Sequence, residues 1–168
     1  MFSPRPNPDP VGPGQESVWD YPRPPRVEYS DELVEVVFGG RVIVSTTRSI
    51  RVLETSHPPT YYLPFDDSAM ECFAPGSGNG SFCEWKGMAS YLSLTVGTRV
   101  APDVAWTYPQ PTAGFEAIAR CLALYPGQMD ECRVNGEVVR PQEGGFYGGW
   151  ITDRVVGPFK GSPGSRGW

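Results

Sequence analysis

The run Leu33-Val34-Glu35-Val36-Val37-Phe38-Gly39-Gly40-Arg41-Val42-Ile43-Val44 decides the fold class. Two segments rich in β-branched residues flank a Gly-Gly pair, which takes the positive φ angles of a tight turn, so the stretch reads as a β-hairpin. Working outward, a third strand is expected at Ser49 to Leu53, where Ile50 and Val52 alternate with Arg51 and Leu53 and one face is buried. Tyr61-Tyr62-Leu63 reads as a short strand fenced by Pro58-Pro59 and Pro64, and Met88 to Val96 alternates through Ala89, Tyr91, Leu92, Leu94 and Val96. Gly76 to Gly80 reads as a loop, and Val104 to Tyr108 as a strand closed by Pro109 and Pro111. Cys132 to Val139 is a second hairpin, with Asn135-Gly136 as its turn.

One helix is expected, because Phe115, Ile118, Ala119 and Leu122 fall at i, i+3, i+4 and i+7 with Thr112 near the start as a cap. It is short, since Ala123-Leu124-Tyr125 runs into Pro126-Gly127 and suits a strand. The chain is therefore mainly β, with residues 27–139 as a β domain. Residues 1–26 form a Pro-rich N-terminal arm in which Trp19 and Tyr21 are expected to dock on that domain. Residues 140–168 form a Gly-rich tail that also holds Phe146, Tyr147, Trp150, Phe159 and Trp168. Flexible linkers are poor in such rings, so the tail is expected to lie on the domain or on a neighbouring subunit.

A length of 168 residues suffices for one apolar core, and 39% hydrophobic against 20% charged residues excludes overall disorder. The net charge of -5 argues against nucleic acid, whose phosphates are held by clustered Lys and Arg. No apolar leader begins at Met1, and no window approaches the roughly 18 to 20 apolar residues of a membrane helix, so no membrane partner and a cytoplasmic location are expected. Cys72, Cys83, Cys121 and Cys132 then read as free thiols; they form two C-x10-C pairs without a C-x-x-C knuckle, and no metal or other cofactor is expected.

Two clusters could carry chemistry. In Glu54-Thr55-Ser56-His57-Pro58-Pro59-Thr60-Tyr61-Tyr62, the single histidine is either a hydrogen-bonded structural residue or an imidazole oriented by Glu54, with Tyr61 or Tyr62 as a phenol donor. In Cys83-Glu84-Trp85-Lys86-Gly87-Met88-Ala89-Ser90-Tyr91, Lys86 could activate Cys83 as a nucleophile. On one continuous strand those two would face opposite sides, and the plainer reading is a buried, inert thiol. Trp106 and Tyr108 suit either an apolar wall or the core. Gly157 to Ser162 has Lys-Gly-Ser where a phosphate loop needs Gly-Lys-Ser/Thr, and Pro163 blocks the helix that must follow.

The segments Glu54 to Pro64, Cys83 to Gly87 with Ala89 and Tyr91, and Ala105 to Pro109 together resemble the bacterial domain of unknown function four-two-seven. That family carries a loose nucleotidyltransferase-like label. The resemblance covers Val34 to Val139, and the ending from Gly144 to Trp168 resembles a longer subgroup. It implies a β-tent-like fold, a pair of antiparallel sheets leaning together over a groove. Many β-tent relatives hold zinc between two C-x-x-C knuckles, which this chain lacks. Enzymes that transfer nucleotides hold two metal ions on clustered carboxylates, and Asp66-Asp67 is the one adjacent aspartate pair.

The expected function is a binding module for a small molecule or peptide, with Tyr61, Tyr62, Lys86, Tyr91 and Trp106 lining a groove between the sheets. The alternatives are an enzyme using Glu54 and His57 for acid-base work with Cys83 as nucleophile, and an assembly protein that presents its aromatic ends to a protein partner or a second copy of itself.

Overall fold

A computed structural model describes residues 5–77 and 80–168. Met1 to Pro4, and Gly78 and Asn79 within the expected Gly-rich loop, lie outside the described residues. Among the described residues the architecture is mainly β, with two large antiparallel sheets and no sheet closed into a barrel. A four-stranded sheet runs in the order Glu137–Val138, Glu131–Val134, Val34–Phe38, Arg41–Thr46. A larger sheet of eight strands follows the path Arg26–Tyr29, Ile50–Leu53, Thr60–Pro64, Cys121–Leu124, Arg99–Thr107, Gly87–Val96, Phe73–Pro75, with Ser81–Cys83 also pairing on Gly87–Val96.

Both expected hairpins form. Gly39 and Gly40 have φ of 60° and 76°, and Asn135 and Gly136 have 48° and 83°, so each turn takes two successive left-handed residues as its strand twist requires. Side-chain alternation then sorts the residues by face. Val34, Val36, Phe38, Ile43 and Val44 of the small sheet pack against Tyr61, Leu63, Leu94, Ala105, Leu122 and Leu124 of the large one, forming the main core. The intervening residues Ile50, Val52, Tyr62, Ala89, Trp106, Cys121 and Ala123 form a second cluster on the opposite face of the large sheet, joined by Tyr108, Phe115 and Ile118. The large sheet is thus buried on both faces.

Two expectations change. The helix is a single 3-10 turn, Glu116–Ile118, and the other helical pieces among the described residues are also three-residue 3-10 turns. Thr112 does not cap it; its hydroxyl bonds the Trp85 carbonyl instead. Cys121 and Leu122 have left the turn and pair with Pro64 and Leu63, because ladder hydrogen bonds to a buried sheet outweigh one more helical turn. The strand Ile50–Leu53 is buried on both faces, with Arg51 and Leu53 as hidden as Ile50 and Val52.

The chain ends are built into this frame. Val18, Trp19 and Tyr21 pack with Leu53 and Val155, and Glu16–Ser17 pairs in parallel with Val155–Val156. Trp19 Nε1 donates to the Pro158 carbonyl at 2.9 Å. Trp150 is fully buried in the main core, whereas Phe146 is 72% exposed. No helix among the described residues is long and apolar enough to cross a membrane.

Candidate functional site

A cavity of about 310 Å³ lies on the second face of the large sheet. It does not lie between the two sheets, where the groove was expected, because that space is filled by the main core. Val52, Ala89, Tyr91, Trp106 and Tyr108 line its floor and walls from the large sheet, and Gln142, Phe146, Tyr147, Gly148 and Lys160 close it from the C-terminal segment. Gly148 packs so closely on Trp106 that a Cβ there would overlap the indole.

Five of the expected site residues meet at the cavity in addition to Trp106: Glu54, His57, Cys83, Lys86 and Tyr91. Glu54 follows the strand Ile50–Leu53 and opens a tight turn closed by the His57 N–H donating to the Glu54 carbonyl at 3.0 Å, with Ser56 at φ 73°. The turn brings His57 Nε2 to 3.6 Å from the Glu54 carboxylate, which Arg23 Nε holds at 3.3 Å. Cys83 and Lys86 share the cavity because residues Glu84 to Lys86 form the turn between strands Ser81–Cys83 and Gly87–Val96. The thiol is therefore half-buried at the cavity wall rather than hidden in the core.

Tyr62 lies under this wall without lining it. Its buried hydroxyl accepts a hydrogen bond from Trp106 Nε1 at 3.4 Å, and Lys86 Nζ stands 5.9 Å from its ring centre. Tyr61 is on the other face, since neighbouring residues of a strand point opposite ways. It bonds Glu32 at 3.1 Å and its ring lies 4.9 Å from that of Trp150.

His57 holds its ring proton on the nitrogen beside Glu54. The Gly149 N–H donates to Gln142 Oε1 at 3.1 Å, which leaves Gln142 Nε2 to donate to the Lys160 carbonyl at 2.6 Å and to His57 Nδ1 at 3.2 Å. With Nδ1 accepting, the ring proton belongs on Nε2. Burial, followed by the cations Lys160, Arg23 and Lys86, pushes the imidazole pKa down from 6.5 to about 3.

That depression predicts a stability slope. The unfolded chain takes up the histidine proton first as the pH falls, so the stability carried by the neutral ring is complete above about pH 6.5 and is lost toward the folded value. Between about pH 8 and about pH 5 the expected loss is about 2 kcal/mol. His57 is the single histidine, so urea midpoints for His57→Gln should be nearly flat over that window. An equally steep fall in the variant would assign the slope to other groups.

Tyr125, Gln142 and Lys160 join the site without having been singled out in the sequence. Tyr125 packs on Trp106 with ring centres 4.7 Å apart and the planes tilted by 50°. The sole signal for the last two was the density of rings around them. Among the described residues, no three His, Cys, Asp or Glu side chains gather closely enough to hold a metal ion.

Two antiparallel sheets in an open arrangement, with an aromatic cavity roofed by the C-terminal segment, define a mainly β protein with a ligand-sized recess. The family model described as Domain of unknown function (DUF427) matches residues 26–135, and the chain belongs to that family. No curated protein gives a match to the chain. The cavity floor falls within the matched region, whereas Gln142, Phe146, Tyr147, Gly148 and Lys160 lie beyond it.

Proposed function

We propose that the protein is a binding module whose cavity takes a small molecule against the aromatic walls of Trp106, Tyr91 and Tyr108. The observation that carries this reading is the convergence of these rings with Lys86, His57 and Glu54 on one recess of about 310 Å³. Apolar walls with a few fixed polar groups are the usual composition of small-molecule sites, and this volume sits at their lower end. The roof over the floor suits a compact ligand better than an extended peptide. The low basicity of His57, with Nδ1 already engaged by Gln142, fits a role in orienting a ligand.

Thermal-shift screening against a metabolite library tests the proposal. A ligand that binds only the folded state stabilises it by about 2.7 kcal/mol at one hundred times its Kd. At least one compound should raise the Tm of the wild type, and Tyr91→Ala should shrink that rise. A diverse library that shifts nothing sinks the reading.

A further inference from the structure

Lys86 identifies the chemistry of the ligand. Its main chain is fixed by the turn, where Gly87 takes φ 106° and the Lys86 carbonyl accepts the Thr112 N–H at 3.0 Å. The half-buried side chain holds its ammonium 5.9 Å from the Tyr62 ring centre and 5.4 Å from that of Tyr108. Ring faces attract a cation but do not cancel its charge. Burial favours the neutral amine, yet Tyr62, Cys83 and Glu54 outweigh it and the net direction of the Lys86 pKa is upward, so the group stays an ammonium.

Three of the neighbouring charged groups, Arg23, Glu54 and Lys160, already have partners. Arg23 holds Glu54 at 3.3 Å and the Thr55 carbonyl at 2.9 Å. Lys160 donates to the Trp168 carbonyl at 3.1 Å. Glu84 is exposed at the rim, on the turn that carries Lys86. Among the described residues, no carboxylate comes within 4 Å of Lys86 Nζ, although the cavity wall restricts its access to water. A partly desolvated ammonium facing a recess gains most from an anion brought in by a ligand. His57 lines the same recess with its Nε2–H beside the Glu54 carboxylate at 3.6 Å, and Trp106 and Tyr91 offer ring surface.

Building on the reading of the cavity as a small-molecule site, we infer that it selects a small ring-bearing anion, with a carboxylate or phosphate on Lys86 and the ring against Trp106 and Tyr91. Isothermal titration of the full chain with benzoate, phenyl phosphate and benzamide tests this, since the three share a ring and differ in the head group. Benzoate or phenyl phosphate should bind at least tenfold more tightly than benzamide, and the better of the two names the head group. Lys86→Met should remove at least tenfold of the anion's affinity while leaving that of benzamide within twofold. Should the variant not fold, the wild-type order of the three probes still decides the matter. Equal or tighter binding of benzamide overturns the anion preference and leaves the cavity reading intact. Binding of none of the three also overturns it, and the fate of the cavity reading then rests on the library screen.

Discussion

Replacing Trp150 with alanine is expected to lower the free energy of unfolding by about 4 kcal/mol, the middle of the range for truncating a buried Trp. The indole is fully buried between the sheets, with Tyr61 4.9 Å from its centre and its Nε1 donating to the Leu124 carbonyl at 3.4 Å. Truncation leaves a void against Tyr61 and an unpaired buried carbonyl at Leu124, two costs that add. The backbone around it is equally committed, since the Trp150 N–H donates to the Pro59 carbonyl at 2.8 Å and Trp150–Ile151 pairs with Arg140–Pro141. A fall in the urea midpoint at unchanged m value would measure the loss. A change below about 1 kcal/mol would mean that the segment after residue 140 contributes little to the core.

The second large effect is expected at Arg51. Its guanidinium is fully buried and bonds Glu28 at 2.6 Å and Glu16. Arg154 lies beside the same carboxylates, 3.7 Å from Glu16, 3.8 Å from Glu28 and 3.0 Å from Glu32. Burial raises the Glu16 pKa, but the Tyr21 hydroxyl and Arg51 outweigh it and hold the carboxyl below its ordinary value. Arg51→Met removes the one fully buried cation from a cluster of three carboxylates and leaves the more exposed Arg154 and Arg26 to serve them, a loss of about 3 kcal/mol. Arg51→Lys should recover little of it, because an ammonium cannot span two carboxylates as the fork does. Adding Glu16→Gln to Arg51→Met should restore part of the loss, since it removes the charge left without its partner. Chemical denaturation of the wild type, Arg51→Met, Arg51→Lys, Glu16→Gln and the double variant checks this, and strict additivity of the two single changes would show that Arg51 and Glu16 do not act together.

The elements that could be read from sequence are those with local causes. Gly39-Gly40 and Asn135-Gly136 set their turns by their own φ preferences, whatever surrounds them. The helical spacing of Phe115, Ile118, Ala119 and Leu122 was local too, but Cys121 and Leu122 were needed by the sheet, and tertiary pairing overrode the pattern. Arg51 could not be read as buried from Ile50-Arg51-Val52-Leu53, because the carboxylates that make its burial tolerable, Glu16 and Glu28, lie far from it in the chain.

The candidate site divides in the same way. Glu54, His57, Cys83, Lys86, Tyr91 and Trp106 are chemically conspicuous and converge on one recess. Tyr61 was misplaced because a Tyr-Tyr pair on a strand necessarily splits between faces, and nothing local says which face is which. The recess was expected between the sheets for the same reason. Alternation shows that the large sheet has two apolar faces, but not that the second is roofed by Gln142, Tyr147 and Lys160.

Because the roof comes from the C-terminal segment, the order of synthesis matters. Trp106 emerges from the ribosome before the segment that will shelter it, and the Glu16–Ser17 strand waits for Val155–Val156 before it has a partner. Long-range closure of this kind is slow and leaves sticky surface uncovered in the meantime. Folding should therefore be completed only when the segment from Gln142 to Lys160 is free to close over the sheet.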